Sequence, residues 1–288
     1  MAPVPAWNGA LDEAAMALLG LALDEDCAHA DVTAQAAVSP DLGCEAVLSS
    51  RQGAVIAGLP VLALMPRAFG SPLDIELLSE DGSRVCPAAI LARIHAPARN
   101  VLSLERIILN FLQRMCGVAT FTRAFVDAVA GTGVQIVDTR KTLPGWRLLD
   151  KYAVRCGGGV NHRFSLADMF MFKDNHQALT EKDMARLIGD ARALKPDLPI
   201  ACEAASLDDV RALCGLDVDI LMLDNMTPTM VREAVALVQG RAVLEVTGGV
   251  TLATVREMAE TGVARISVGA LTHSAPAVDL TLDVCRAA

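Results

Sequence analysis

Between Asp138 and Arg163 the sequence reads DTRKTLPGWRLLDKYAVRCGGGVNHR. It holds Arg140, Lys141, Arg147, Lys151, Arg155, Arg163 and His162 against two acids, Asp138 and Asp150. The whole chain carries a formal net charge of −9. Cations gathered in an acidic protein mark a local anion site. Arg140, Lys141, His162, Arg163 and Lys173 are too many for one phosphate and suit a ligand with several anionic groups, such as a diphosphate or a dicarboxylate. Arginine offers bidentate contacts to carboxylates, and lysine a point charge for phosphate. Further on, Gly248-Gly249 precedes a helical pattern beginning near Thr251. Free backbone N–H groups and the positive end of a helix dipole there would make a phosphate cradle. Gly269, in SVGALTHS, offers a second wall. The carboxylates Glu203 and Asp224 could contact Mg²⁺, bind sugar hydroxyls or act as a general base. No Ser-His-Asp arrangement or activated nucleophile is visible.

Two regions must position these residues. From about Glu45 to Ala98 the pattern is strand-like and rich in turns, with Glu80-Asp81-Gly82-Ser83 separating two short apolar stretches. Leu104, Ile107, Ile108, Phe111, Leu112 and Met115 then recur at helical spacing, predicting one or two helices that end at Gly131. From Val134 onward short apolar runs alternate with helical stretches: VQIVDT, DMFMFK, PIACEA, DILMLD, AVLEVT and ARISVG. Helix starts are expected near Thr180, Ser206, Pro228 and Thr251. Strand then helix, repeated, gives a parallel sheet with right-handed crossovers. Six such units predict a barrel related to the eight-unit barrel but open on one side; a doubly wound sheet is the competing arrangement.

The strands end at Asp138-Thr139-Arg140-Lys141, Lys173, Glu203, Asp224, Thr247-Gly248-Gly249 and Gly269. The last four lie 21, 23 and 22 residues apart, about the length of one strand–helix unit. They therefore occupy equivalent places at the carboxyl ends of the strands, where such folds hold their sites. Arg147, Lys151 and Arg155, four apart on a helix, read as a solvated face. The glycines 157–159 end that helix and turn Asn161, His162 and Arg163 back toward the mouth.

With 288 residues, 53% hydrophobic and 20% charged, the chain has a large core; only 3% aromatic content makes that core aliphatic. The longest uncharged run, Gln52–Pro66, is too short and too rich in glycine and proline for a membrane span. The N-terminal residues show no secretory pattern. Eight cysteines without C-x-x-C spacing predict small buried thiols in a reducing cytoplasm rather than zinc or disulfides. The acidic balance argues against nucleic acid.

The segments DTRKTLPGWRLLDKYAVRCGGGVNHR, MFKDNH, LMLDNM, VTGGVTL and ISVGALTHSAPAVDLTLDV resemble those of quinolinate phosphoribosyltransferases, the decarboxylating enzymes of pyridine nucleotide synthesis. EDGSRV and ARIHAPARNVLSLERIILNFLQRMCGVAT extend the resemblance from about Leu21 to Val284. It implies an α/β fold with an N-terminal α/β domain over 1–115, joined by a C-terminal return over 275–288. The barrel domain, with six or seven parallel strands, would cover 116–274. It also implies a homodimer, or a higher oligomer, whose site is completed by the partner's Arg106. Substrates would be quinolinate and phosphoribosyl pyrophosphate, with Mg²⁺ as cofactor. Arg106, Arg140, His162, Arg163 and Lys173 would take quinolinate carboxylates, and Lys141 and Lys173 the diphosphate. Glu203 and Asp224 would meet ribose hydroxyls and the Mg²⁺ shell. Thr247, Gly248, Gly249, Gly269, Ala270 and His273 would surround the 5′-phosphate, and Thr139 joins the substrate-binding residues. Lys141, Lys173, Glu203 and Asp224 form the implied catalytic set.

The sequence departs from the family pattern at Ala201 and Ala205, where acids flank Glu203 in the resembling enzymes, and at Ala30-Asp31-Val32-Thr33-Ala34, for which a structural role is expected. Alternatives are a same-fold paralogue of the kind associated with molybdenum-transport operons, a nicotinate-specific transferase, and a non-catalytic sensor of phosphorylated sugars.

Overall fold

The computed structural model describes residues 4–286. The outermost residues of the sequence, where the secretory reading and the two domain ends begin and finish, lie outside the described residues. Along the chain run α1 (Gly9–Glu25), α2 (Val32–Ala37), β1 (Gly43–Ser50), β2 (Ala54–Val55), α3 (Pro60–Phe69), β3 (Asp74–Leu77), β4 (Arg84–Val85) and β5 (Ile90–Pro97). Next come α4 (Ala98–Ala128), β6 (Gln135–Val137), α5 (Arg147–Cys156), β7 (Phe170–Phe172), α6 (Asp174–Gln177) and α7 (Met184–Leu194). The chain continues through β8 (Ile200–Ala204), α8 (Leu207–Leu213), β9 (Ile220–Asp224), α9 (Pro228–Val238) and β10 (Val243–Thr247). It closes with α10 (Val255–Ala259), β11 (Arg265–Ser267), α11 (Ala270–His273) and β12 (Leu280–Arg286).

These elements form two compact units. The first takes the chain up to Arg123, Thr142–Gly158 and the segment from Leu271. Its main sheet is antiparallel, in the order β12-β1-β5-β3. β1 alternates buried and half-exposed residues, so Ala46 and Leu48 enter the core while Glu45 and Val47 face outward. The single helix α4, 31 residues long, runs straight through Gly117. It presents Leu104, Ile108, Phe111, Leu112 and Met115 to the core, all within 2% of full burial. The early Ala30–Ala34 motif is structural: the Asp31 carboxylate accepts hydrogen bonds from Thr33 N and Ala34 N and caps α2.

The reading of Arg147, Lys151 and Arg155 as a solvated face is overturned. Lys151 is fully buried, and Arg147 and Arg155 are half-buried. Nearly the whole circumference of α5 is covered, as Leu149, Asp150, Tyr152, Ala153 and Val154 are buried too. Arg114 donates to Asp150 Oδ2 at 2.8 Å and to Thr272 O at 2.9 Å, so the buried acid of α5 meets a cation. Tyr152 donates to Asp81 Oδ2 at 2.8 Å, and Asp81 also accepts from Gly58 N and Leu59 N.

The second unit comprises Ala124–Lys141 and Gly159–Ala270. Its six strands are those expected from the six apolar runs. They are all parallel, in the order β6-β11-β10-β9-β8-β7. The first strand pairs with the last, and the rest follow in sequence. That circular order is a barrel's; a doubly wound sheet would reverse direction at an interior strand. The ring is open between β6 and β7. Beside the opening, Val160 forms a lone parallel bridge to Val137.

The crossover helices start where side-chain caps are available. Ser206 and Asp209 form a capping box on α8, Thr227 Oγ1 accepts from Met230 N on α9, and Asp183 caps α7, which begins four residues after the start expected near Thr180. Four cysteines, Cys44, Cys116, Cys156 and Cys202, are buried as expected; Cys27, Cys86 and Cys285 are exposed instead. No described helix is long and apolar enough to cross a membrane.

Candidate active site

The carboxyl ends of the second unit's strands surround an open cavity of about 520 Å³. Arg140, Lys141, Arg163 and Lys173 all line it, together with His162 and Thr139. Glu203, Asp224 and Thr247, Gly248 and Gly249 contribute the other strand ends. Of the remaining candidates, Gly269 and Ala270 follow β11 and are not among the lining residues. His273 closes α11 in the first unit, its ring 2.5 Å from Ser274 Oγ. Arg106 also lies in the first unit, on the exposed side of α4, 3.8 Å from Glu105.

Each lining residue is placed by local chemistry. Asp138, fully buried at the end of β6, accepts from Asn161 Nδ2 at 2.6 Å and from His162 N at 2.8 Å. These bonds pin the segment beyond the three glycines to the strand end and so bring His162 and Arg163 beside Arg140. Gly158, at φ +88°, supplies the left-handed turn, while Gly157 stays right-handed and is small for another reason. A Cβ on Gly157 would lie 2.5 Å from Ala119 O. Arg163 donates to Met169 O at 3.1 Å and to Met171 Sδ at 3.3 Å, which leaves donors of its five N–H groups for a ligand. Burial, and after it the charge of Arg140, lowers the Arg163 pKa. A site in which cations press on one another is primed for anions.

Lys173, at the head of α6, is ion-paired with Glu203 at the end of β8. Asp224 ends β9, and Asn225, at φ +53°, donates to it at 3.0 Å. Gly248 at φ +86° and Gly249 at φ +60° both require a left-handed backbone. A Cβ on Gly248 would also stand 2.3 Å from Asn225 Oδ1. The helix expected to begin at Thr251 begins at Val255 and spans five residues, after a turn in which Thr254 Oγ1 accepts from Thr251 N. Any anion here is therefore held by the glycine backbone and neighbouring side chains rather than by a long helix dipole.

Sequence reasoning missed Met171, Met222, Asn225, Glu245 and Ser267, which also line the cavity. The two methionines, packed on Ala201 and Ile220, give it an apolar wall. Glu245 is the sharpest omission: fully buried at the centre of β10, it lies 3.6 Å from His162 Nε2. Burial pushes its pKa up to about 7. An acid in the middle of the apolar run AVLEVT was the available signal. Ala201, where an acid was expected, packs in the apolar cluster, and Ala205 N donates to the Asp209 carboxylate. Cys202 is buried, which raises its thiol pKa to about 12, so it is no nucleophile.

The family described as quinolinate phosphoribosyl transferase, C-terminal domain, matches residues 118–283, and its N-terminal domain matches residues 31–116. The chain belongs to the quinolinate phosphoribosyl transferase family. A nicotinate-nucleotide pyrophosphorylase (carboxylating) of Mycobacterium leprae is 40% identical, over 94% of this chain and 98% of that protein. A quinolinate phosphoribosyltransferase (decarboxylating) of Nicotiana tabacum is 35% identical, over 93% of this chain and 81% of that protein. Among solved structures of the family, the nicotinate-nucleotide pyrophosphorylase of Francisella tularensis superposes with a TM-score of 0.91 at 33% identity, covering 99% of this chain and all of that one.

Proposed function

We propose that this protein transfers a phosphoribosyl group from phosphoribosyl pyrophosphate to quinolinate with loss of CO2, giving nicotinate mononucleotide and diphosphate. The observation that carries the reading is the convergence of Arg140, Lys141, Arg163 and Lys173 on one cavity at the strand ends of a family member. Two mutually repelling polyanions are brought together only where cations offset that repulsion. Neither the paralogue nor the sensor reading draws support from the relatives described above.

The chemistry needs positioning more than proton transfer. As the C1′–O bond to diphosphate breaks, positive charge develops on the ribose, and Lys141 and Lys173 stabilise the departing diphosphate. The ring nitrogen of quinolinate donates its electron pair to C1′. The pyridinium so formed accepts the electron pair left when the adjacent carboxylate departs as CO2. That carbon then takes a proton from water. Arg140 and Arg163 hold the carboxylates in the forked geometry of guanidinium. The Met171 and Met222 wall suits the ring face, and the Gly248-Gly249 turn the 5′-phosphate.

Among the described residues no group of three metal-ligating side chains exists. Glu203 and Asp224 fit Mg²⁺ in the manner usual for that ion, one or two carboxylates alongside substrate oxygens and water. Such an ion would neutralise diphosphate charge. The implied homodimer or higher oligomer, with the partner's Arg106 reaching the site, and a cytoplasmic setting belong to the same reading. Supplying quinolinate, phosphoribosyl pyrophosphate and Mg²⁺ and following products tests it: CO2 and mononucleotide should appear one for one. Absence of both, with the sugar donor still bound, would favour the sensor.

A further inference from the structure

We propose that Glu245 is a positioning residue for the transfer: it holds the His162 imidazole beneath the cavity and so fixes Arg163 toward the carboxylates of the pyridine substrate. This rests on the function proposed above. The His162 ring is bonded on one side and faces an acid on the other. Nδ1 accepts the Arg163 backbone N–H at 2.7 Å, which places the ring's own proton on Nε2. Nε2 faces Glu245 Oε1 at 3.6 Å, beyond hydrogen-bond length and within ion-pair reach. His162 is thereby oriented with its Nε2 edge toward Glu245, and the neighbouring residue it orients is Arg163.

The neighbouring strands account for the acid only in part, through the charge of Arg265, which favours its ionised form against burial. Glu245 sits in register with the apolar Met222 on β9 and with Arg265 on β11. Neither of its carboxyl oxygens has a side-chain hydrogen-bond donor at good geometry among the described residues. The nearby Ser267 hydroxyl points at Val246 O, 3.3 Å away, and is near enough to Glu245 to favour its charged form. Asp138 adds a second buried acid that disfavours its charge. A methionine would bury more favourably at this position. An acid kept there at a cost is explained by its hold on His162.

Two full-length variants test this. Glu245→Gln keeps an acceptor for Nε2–H; Glu245→Met keeps the volume and removes it. Glu245→Met should melt no lower than the parent yet raise the quinolinate KM at least about tenfold, with kcat and the sugar-donor KM within about threefold. Glu245→Gln should stay within about threefold throughout. Nitrogen NMR of the His162 ring should show the Nε2–H tautomer in both proteins, with the Nε2 resonance shifted in Glu245→Met because its carboxyl neighbour is gone. An unchanged His162 spectrum in Glu245→Met, or an unchanged quinolinate KM, overturns the proposal. If the parent turns over no quinolinate, the assigned reaction fails, and the spectrum alone still decides whether Glu245 holds the ring.

Discussion

Gly248 has two independent reasons to be glycine: its φ of +86° and the Asn225 amide that would sit 2.3 Å from a Cβ. Replacing it with alanine should cost about 1–2 kcal/mol of stability in urea unfolding and raise the sugar-donor KM at least about tenfold, because the phosphate turn itself must shift. The Lys173–Glu203 ion pair makes a different prediction. Lys173→Ala should reduce kcat more than it reduces quinolinate affinity, since its charge is needed most as diphosphate leaves. Both residues were legible from sequence, because a polar group ending an apolar run is conspicuous. Glu245 was passed over although the acid inside AVLEVT was visible, because a run that is apolar on either side of a single acid reads simply as a strand. Lys151 was misread for a related reason. Four-residue spacing identifies one face of a helix but not whether that face meets water, and α5 is covered nearly all round.

Among the elements, the segment after the glycine run depends most on a single side chain. Asp138 takes two hydrogen bonds from it while fully buried. Asp138→Ala should destabilise the protein by about 2–3 kcal/mol in denaturant unfolding and lower kcat/KM for quinolinate more than for the sugar donor, because His162 and Arg163 lose their anchor. Tyr152→Phe is the matching control. It removes the 2.8 Å bond to the buried Asp81, so stability should fall by about 1–2 kcal/mol with kcat unchanged. The six strands were readable because parallel barrel strands are short apolar runs at regular intervals. The start of α10 was not: the turn closed by Thr251 and Thr254 gives the same residue pattern as a helix start.

For the molecule as a whole, burial of Glu245 links folding to pH. Its pKa rises from 4.5 unfolded to about 7 folded. The protonated form is favoured by folding, so this contribution is fully present below pH 4.5 and is lost as pH rises toward and through about 7. The parent should lose up to about 3 kcal/mol over that window by this route, and Glu245→Met should flatten the curve. Assembly makes a separate prediction. Arg106→Ala and Lys141→Ala proteins, each inactive alone, should recover activity on subunit exchange if Arg106 serves the partner's site; no recovery would exclude sharing. No periodicity in the chain pointed to that role, since Arg106 reads as an ordinary exposed helix residue, and only the family resemblance raised it. The account finally depends on cations that hold two polyanions in one cavity. Calorimetric titration of quinolinate into the parent and into Arg140→Ala, Lys141→Ala, Arg163→Ala and Lys173→Ala tests this most directly. The arginine variants should weaken binding by about 10- to 100-fold and the lysine variants less, while the parent's affinity falls with added salt. Equal affinity in all five proteins would contradict the account.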